Sequence, residues 1–417
     1  MIFIQLLLAT FINTITATFS NDIPVYVALY QRNVNMLENK LLDISNPLSK
    51  NYGNWMNIKD ITNFINPDIE DQHKVIKWLN KYEIKNLQNY GDNIKFQSNL
   101  DTLTNIFKLS KTSNNLIGYT IPEHLNNVIE FVEMTSLKID KKFKLNKKSK
   151  DDISDDRYFG RESLINLYNL TNYTLSNRLS AALIEYQDND GFTNRDINMN
   201  QIVNEQNLNN ITTIIGGNHH INDESELDVQ LLSQTADGID LWYWNSPYWL
   251  YSFAVDFFNS ETIPEIISMS WGWSEKHQCD IIDCNNFTSK DYVNRVNNEY
   301  LKIALRGTTI VVASGDAGAP GRTNEECDTN NPINPVFPGS SPYVLSVGAT
   351  NSIKDNTTIN FTTPLCNNNN CITSNKEIAV TFDNIGWTGG GGFDIYHNNT
   401  PVWQKQVVEK YLSSGVK

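Results

Sequence analysis

The chain has 417 residues, 40% of them hydrophobic and 19% charged, enough for two or three domains with sizeable cores. Its net charge of -14 and pI near 4.9 argue against a nucleic acid or an anionic membrane as partner. After the N-terminus, no stretch is apolar enough to cross a membrane.

Residues 2–12 form an apolar run followed by the small residues Thr16, Ala17 and Thr18, which reads as a secretory signal peptide over residues 1–20. A strand is expected over Val25–Tyr30. A helix should follow with Val34, Leu37, Leu41 and Leu42 on one face, then a turn-rich link from Asn46 to Gly53. Further helices are expected over Ile58–Ile65 and Asp71–Leu79, and strands over Phe96–Thr102 and Ile117–Ile121. This α+β unit runs into seven lysines among residues 138–150, next to an acidic run over residues 151–156. Two opposed charge runs with few apolar residues predict an exposed linker open to processing, so one unit is placed at residues 21–150 and a second at 151–417.

In the second unit, strands are expected near residues 181–185, 211–216, 239–244, 265–270, 309–313 and 344–349. Helical patterns alternate with them, around Leu164–Tyr168 and over Tyr248–Phe258 and Tyr292–Leu305. That alternation predicts an α/β fold with a parallel sheet, whose chemistry belongs at the carboxyl ends of its strands. Three loops there stand out: Ser270-Trp271-Gly272, Ser314–Gly318 and Gly389–Gly392.

Upstream of them lies Asn222-Asp-Glu224-Ser-Glu-Leu-Asp228, a helix start with Asn222 or Asp223 as N-cap and Leu227, Leu231 and Leu232 at helical spacing. Glu224 and Asp228 are four apart and share a face. Two carboxylates so placed repel, which leaves one protonated and one ionised in mild acid, a useful acid/base device. The plain alternative is a solvated acidic helix start that suits the helix dipole. Asp316 is bounded by Gly315 and Gly318 at a strand end. When protonated, a carboxyl there can donate to a developing oxyanion; otherwise it is a loop aspartate accepting backbone N–H groups. His219, His220 and His277 are the histidines that a rival triad would need, but no His-Gly-Thr type motif accompanies them, and polar surface positions suit them better.

The five cysteines form two close pairs, Cys279/Cys284 and Cys366/Cys371, and a singleton, Cys327. In a secreted chain the pairs close short loops as disulfides. Zinc is the alternative, and it lacks the usual two-residue spacing. Seven Asn-x-Ser/Thr sequons, at Asn169, Asn172, Asn210, Asn286, Asn356, Asn360 and Asn398, all fall after residue 160 and mark that part as the glycosylated one.

These motifs together resemble the sedolisin family of serine-carboxyl peptidases, most nearly its lysosomal tripeptidyl peptidase branch. Glu224-Ser-Glu-Leu-Asp228-Val-Gln is similar to the family's Glu-x-x-x-Asp-x-Gln, and Ile267-Ser-Met-Ser-Trp-Gly272 to its Ser-x-Ser-Trp/Tyr-Gly. Ala313-Ser-Gly-Asp316-Ala-Gly resembles its Ser-Gly-Asp-Ser-Gly loop, and Phe337-Pro-Gly-Ser-Ser-Pro-Tyr-Val its Phe-Pro-Ala-Ser-Ser-Pro-Tyr-Val. The Gly389–Phe393 run resembles its Gly-Gly-Gly-Phe loop. Leu29–Val34 and Asn46–Gly53 look like its inhibitory prosegment. The resemblance covers nearly the whole chain in order.

It implies a subtilisin-like sheet with helices on both faces, preceded by an α+β prosegment that inhibits its own peptidase, and proteolysis of peptides in acid. Glu224 would be the general base oriented by Asp228, and Asp316 would complete the oxyanion hole. Ser270, Trp271, Gly272, Gly390 and Gly391 would bind the peptide substrate. The family's nucleophile sits in a Ser-Gly-Thr-Ser-x-Ser motif, which these 417 residues do not contain. The resemblance also implies calcium, but its binding loop is likewise expected beyond Lys417. The chain is therefore expected to be a peptidase precursor lacking its C-terminal part and silent by itself. The alternative is a secreted protein that keeps the cleft and binds peptides without cutting them.

Overall fold

The computed structural model describes residues 22–111, 117–136, 157–170, 179–187, 191–322, 333–353, 357–374, 376–396 and 401–415. The expected signal peptide, the lysine-rich linker, Cys327 and the sequons at Asn172, Asn356 and Asn398 lie outside these residues.

The N-terminal unit opens with β1 (Ile23–Leu29), α1 (Val34–Ser45), α2 (Ile58–Ile65) and α3 (Ile69–Leu79). It continues through β2 (Lys85–Asn89), β3 (Asn93–Ser98), α4 (Leu100–Phe107) and β4 (Ile129–Glu133). Its four strands form an antiparallel sheet in the order β2-β3-β1-β4. Strand β1 is apolar on both faces because both are covered. Val25, Val27 and Leu29 face a core with Val75, Trp78, Leu103 and Phe107, while Tyr26 and Ala28 face the second unit.

The strand expected over Phe96–Thr102 ends at Ser98. Asn99 takes the amide of Thr102 on its side chain at 2.9 Å and caps α4, so the second half of that stretch is helix. The strand expected over Ile117–Ile121 shortens to Ile117–Gly118.

The second unit begins with α5 (Arg161–Tyr168), β5 (Ser180–Tyr186), α6 (Asn194–Val203), β6 (Thr213–Ile215) and α7 (Asp223–Thr235). There follow β7 (Asp240–Ser246), α8 (Leu250–Asn259), β8 (Ile266–Met269) and the short β9 (Trp273–Ser274). Next come α9 (Ser289–Leu305), β10 (Thr309–Ala313), β11 (Val336–Phe337) and β12 (Leu345–Val347), then several short elements and, near the end, α10 (Lys405–Ser413). Six strands make one parallel sheet in the order β12-β10-β8-β5-β7-β6.

Side-chain alternation along β5 sends Ala182, Ile184 and Tyr186 into the core with α8 and α9, and Ala181 and Leu183 into the one with α6 and α7. Helices thus cover both faces, as expected. Both cysteine pairs are disulfides, Cys279–Cys284 and Cys366–Cys371.

The two units share one core. Phe131 of β4 packs against Tyr251, Phe287 and Tyr292 at centroid distances of 4.7, 4.8 and 5.8 Å. No helix among the described residues is long and apolar enough to cross a membrane.

Candidate active site

Helix α7 starts where expected. Asn222 is extended and accepts the amide of Ser225 on its side chain at 2.8 Å. Its buried face is not the expected leucine face. Ser225, Val229 and Ser233 turn inward, and Ser225 Oγ lies 3.3 Å from the Tyr243 hydroxyl of β7. Leu227 and Leu231 are left exposed. Small side chains let the helix approach the sheet closely, which leucines at these positions would prevent. Glu226 accepts the amide of Thr193 at 2.7 Å and fastens α7 to the start of α6. Glu224 and Asp228 are half-buried on the first two turns.

Because the sheet is parallel and α7 follows β6, the start of α7 lies at the carboxyl ends of the strands. The loop after β10 that carries Asp316 lies at the same end. The carboxylate of Asp316 is 54% exposed, and Arg322 approaches it at 3.5 Å. This loop is zipped to the Gly-rich run. Gly390 donates to the Gly315 carbonyl at 2.8 Å, Thr388 to the Asp316 carbonyl at 3.5 Å, and Gly318 to the Thr388 carbonyl at 3.4 Å. A Cβ on Gly390 would stand 1.8 Å from the Ser314 oxygen, so only glycine permits the approach.

Ser270, Trp271 and Gly272 follow β8, between these two places. Ser270 is exposed. The Trp271 indole is buried at 6% exposure. Its N–H donates to the buried Glu185 carboxylate at 2.8 Å, and its ring meets Tyr186 and Trp249 edge-on. A Cβ on Gly272 would reach 2.5 Å from Val336, and one on Gly315 2.9 Å from the same valine. Val336 therefore fills the floor between the two strand-end loops.

Three supporting residues escaped sequence reasoning. Glu185 holds Trp271, Val336 spaces the loops, and buried Glu275 accepts from Ser340 Oγ at 2.8 Å and from the Ile395 amide at 2.9 Å. None belongs to a motif, and a buried glutamate in an apolar strand carries no sequence signal of its partner. His219 and His220 are exposed. His277 lies 2.9 Å from Ser274 Oγ, which is buried and donates to Asn334, so this Ser–His pair is part of the packed floor. Among the described residues, no three His, Cys, Asp or Glu side chains converge on a metal site.

Residues 11–137 match the model of the pro-kumamolisin activation domain. Physarolisin of Physarum polycephalum is 34% identical over 424 residues, covering 96% of this chain and 72% of that protein. Tripeptidyl-peptidase sed4 of Aspergillus fumigatus is 24% identical, covering 96% of this chain and 69% of its own. Human tripeptidyl-peptidase 1 is 29% identical over 202 residues, 46% of this chain and 29% of that protein. Among solved structures, a Pseudomonas sedolisin, described as a serine-carboxyl proteinase, aligns with 60% of this chain and 67% of its own at 17% identity and a TM-score of 0.46. The chain therefore belongs to the sedolisin family of serine-carboxyl peptidases, near its tripeptidyl peptidase branch.

Proposed function

We propose that Glu224, Asp228 and Asp316 are the acid–base and oxyanion groups of a peptidase acting on peptides in acid. The observation that carries this reading is their common placement at the carboxyl end of one parallel sheet, flanking the loop after β8. Glu224 takes the proton from a serine hydroxyl as its oxygen attacks the peptide carbonyl, then returns it to the leaving amine. Asp228, one turn on, orients Glu224. Asp316, when protonated, donates to the oxyanion, which restricts such chemistry to acid. The backbone at Ser270, Trp271 and Gly272, with Gly390 and Gly391, holds the substrate as an added strand.

The serine must come from a Ser-Gly-Thr-Ser-type segment, and residues 1–417 contain none. A polypeptide limited to these residues is therefore expected to leave peptides uncut. The activation domain is proposed to inhibit by covering the same chain. The secretory pathway, with an acidic destination, is the proposed location, supported by two disulfides. Peptide hydrolysis at about pH 4 by this chain joined to a segment carrying the Ser-Gly-Thr-Ser motif, with Glu224→Gln as control, tests the reading.

A further inference from the structure

Helix α5 and the four residues before it are fastened to two parts of the second unit that are far apart in the chain. On one side, the Arg161 amide donates to the Asn204 side chain at 2.9 Å, and its guanidinium pairs with Asp237 at 3.0 Å. Asn204 caps the end of α6, and Asp237 follows α7, the helix that carries Glu224 and Asp228. Gln234, in the last turn of α7, donates to the Phe159 carbonyl at 3.4 Å.

On the other side lies the loop closed by the Cys366–Cys371 disulfide. Tyr158 pairs with it as an isolated parallel bridge. Its amide donates to the Asn370 carbonyl at 2.8 Å, and its own carbonyl accepts from the Ile372 amide at 2.9 Å. Ser163 Oγ donates to the Ile372 carbonyl at 2.9 Å. Glu162 accepts from the amides and hydroxyls of both Thr362 and Thr363 at 2.7 to 3.0 Å, where the short helix Pro364–Asn368 begins. Burial pushes the Glu162 carboxyl up, but these donors more than offset it and hold it below its usual value. Gly160 is so close to the loop that a Cβ there would stand 2.8 Å from Leu365 and 3.3 Å from Cys366 Sγ.

The same segment reaches the antiparallel strand pair Thr350–Ser352 and Glu377–Ala379. Arg157 donates to the Ser352 carbonyl at 3.4 Å, and the Tyr168 hydroxyl donates to Glu377 at 2.8 Å. Val380 follows that pair and accepts from Thr388 Oγ1 at 3.0 Å, and Thr388 is the residue that meets the Asp316 carbonyl. One short segment therefore joins the frame of α7 to the frame of the Asp316 loop.

We propose that residues 157–168 are a staple, closed by the Cys366–Cys371 loop, that holds the helix of Glu224 and Asp228 and the loop of Asp316 in one frame and stays seated when the chain is cut in the lysine-rich run before it. All of these contacts lie within the second unit, so none is lost with the activation domain. The inference goes beyond the proposed peptidase function and needs no turnover. It would stand if Glu224 had no catalytic role, and its failure would leave the roles of Glu224, Asp228 and Asp316 untouched.

The staple carries its own reporters, because Arg157 and Arg161 are trypsin sites. Trypsin at about pH 8 should cut the full chain among the seven lysines of residues 138–150 and spare the bonds after Arg157 and Arg161. Those two bonds should be cut about 100-fold or more slowly than in a free peptide of residues 151–170. Replacing Cys366 and Cys371 together by serine should speed both cuts by about 10-fold or more. It should not expose the bond after Lys302, which is buried in α9 and reports global unfolding. Glu162→Ala, read at the bond after Arg157, should act in the same direction. Wild-type cutting after Arg157 or Arg161 at the rate of the free peptide, wild-type protection in either variant, or an equal acceleration after Lys302 would each overturn the proposal. The wild-type rates and Glu162→Ala decide it even if the double variant does not fold.

Discussion

The backbone N–H of Gly390 donates to the carbonyl of Gly315 at 2.8 Å, which fastens the Gly-rich run to the loop presenting Asp316. The position of Asp316 therefore depends on a residue 74 positions further along the chain, since 390 − 316 = 74. Gly390→Ala puts a methyl group 1.8 Å from the Ser314 oxygen and must push the two loops apart. A loss of about 2–3 kcal/mol is expected, read as a lower denaturant midpoint at unchanged slope.

Glu185→Leu leaves the buried Trp271 indole N–H without its acceptor at 2.8 Å. The expected cost is about 1–3 kcal/mol. Glu185→Gln keeps an acceptor oxygen and should cost less. Thermal melting of the two variants side by side separates the hydrogen bond from simple packing.

Each disulfide joins cysteines five positions apart. Replacing Cys366 and Cys371 together by serine should cost about 2 kcal/mol on the loop-entropy model, because so short a loop restrains little of the unfolded chain. Urea midpoints of the oxidised wild type and the double variant measure it.

Glu133 has its carboxyl raised by burial in the folded chain. A carboxyl raised on folding adds stability that is present below its unfolded value and lost as pH rises through its folded value. Glu133→Gln, which still accepts from Trp249 and Ser252, should therefore melt above the wild type at about pH 7 and match it at about pH 4. An unchanged difference across that range would contradict the shift.

Much of this architecture is readable from local pattern. The run Thr309–Ala313 is a β-branched apolar stretch bounded by glycine, and it is strand β10 residue for residue. A helix start capped at Asn222 or Asp223 and the four-residue spacing of Glu224 and Asp228 are also readable there, and the structure puts the cap at Asn222. The inward face of α7 is not. Ser225, Val229 and Ser233 make it, and spacing does not reveal that Ser225 meets the Tyr243 hydroxyl of β7 or that Ser233 accepts from Gln201 of α6. The helix over Leu100–Phe107 was within reach, since Asn99 is a good N-cap, but the apolar residues before it extended the strand pattern. The buried charges of α9 were out of reach. Local pattern gives a helix over Tyr292–Leu305 and no sign that Arg295, Glu299 and Lys302 are buried, and only the docked region around β1, β3 and β4 makes that face interior.

Glu224 is proposed as the general base of a serine-carboxyl peptidase reaction. Its most direct test is peptide hydrolysis at about pH 4 by residues 1–417, alone and joined to a family member's segment carrying the Ser-Gly-Thr-Ser motif. No turnover is expected from residues 1–417 alone. With the serine supplied, turnover is expected, and Glu224→Gln should lower it by about 10³–10⁴-fold. Turnover in the joined chain that is indifferent to Glu224→Gln, or turnover by residues 1–417 alone, would contradict the account.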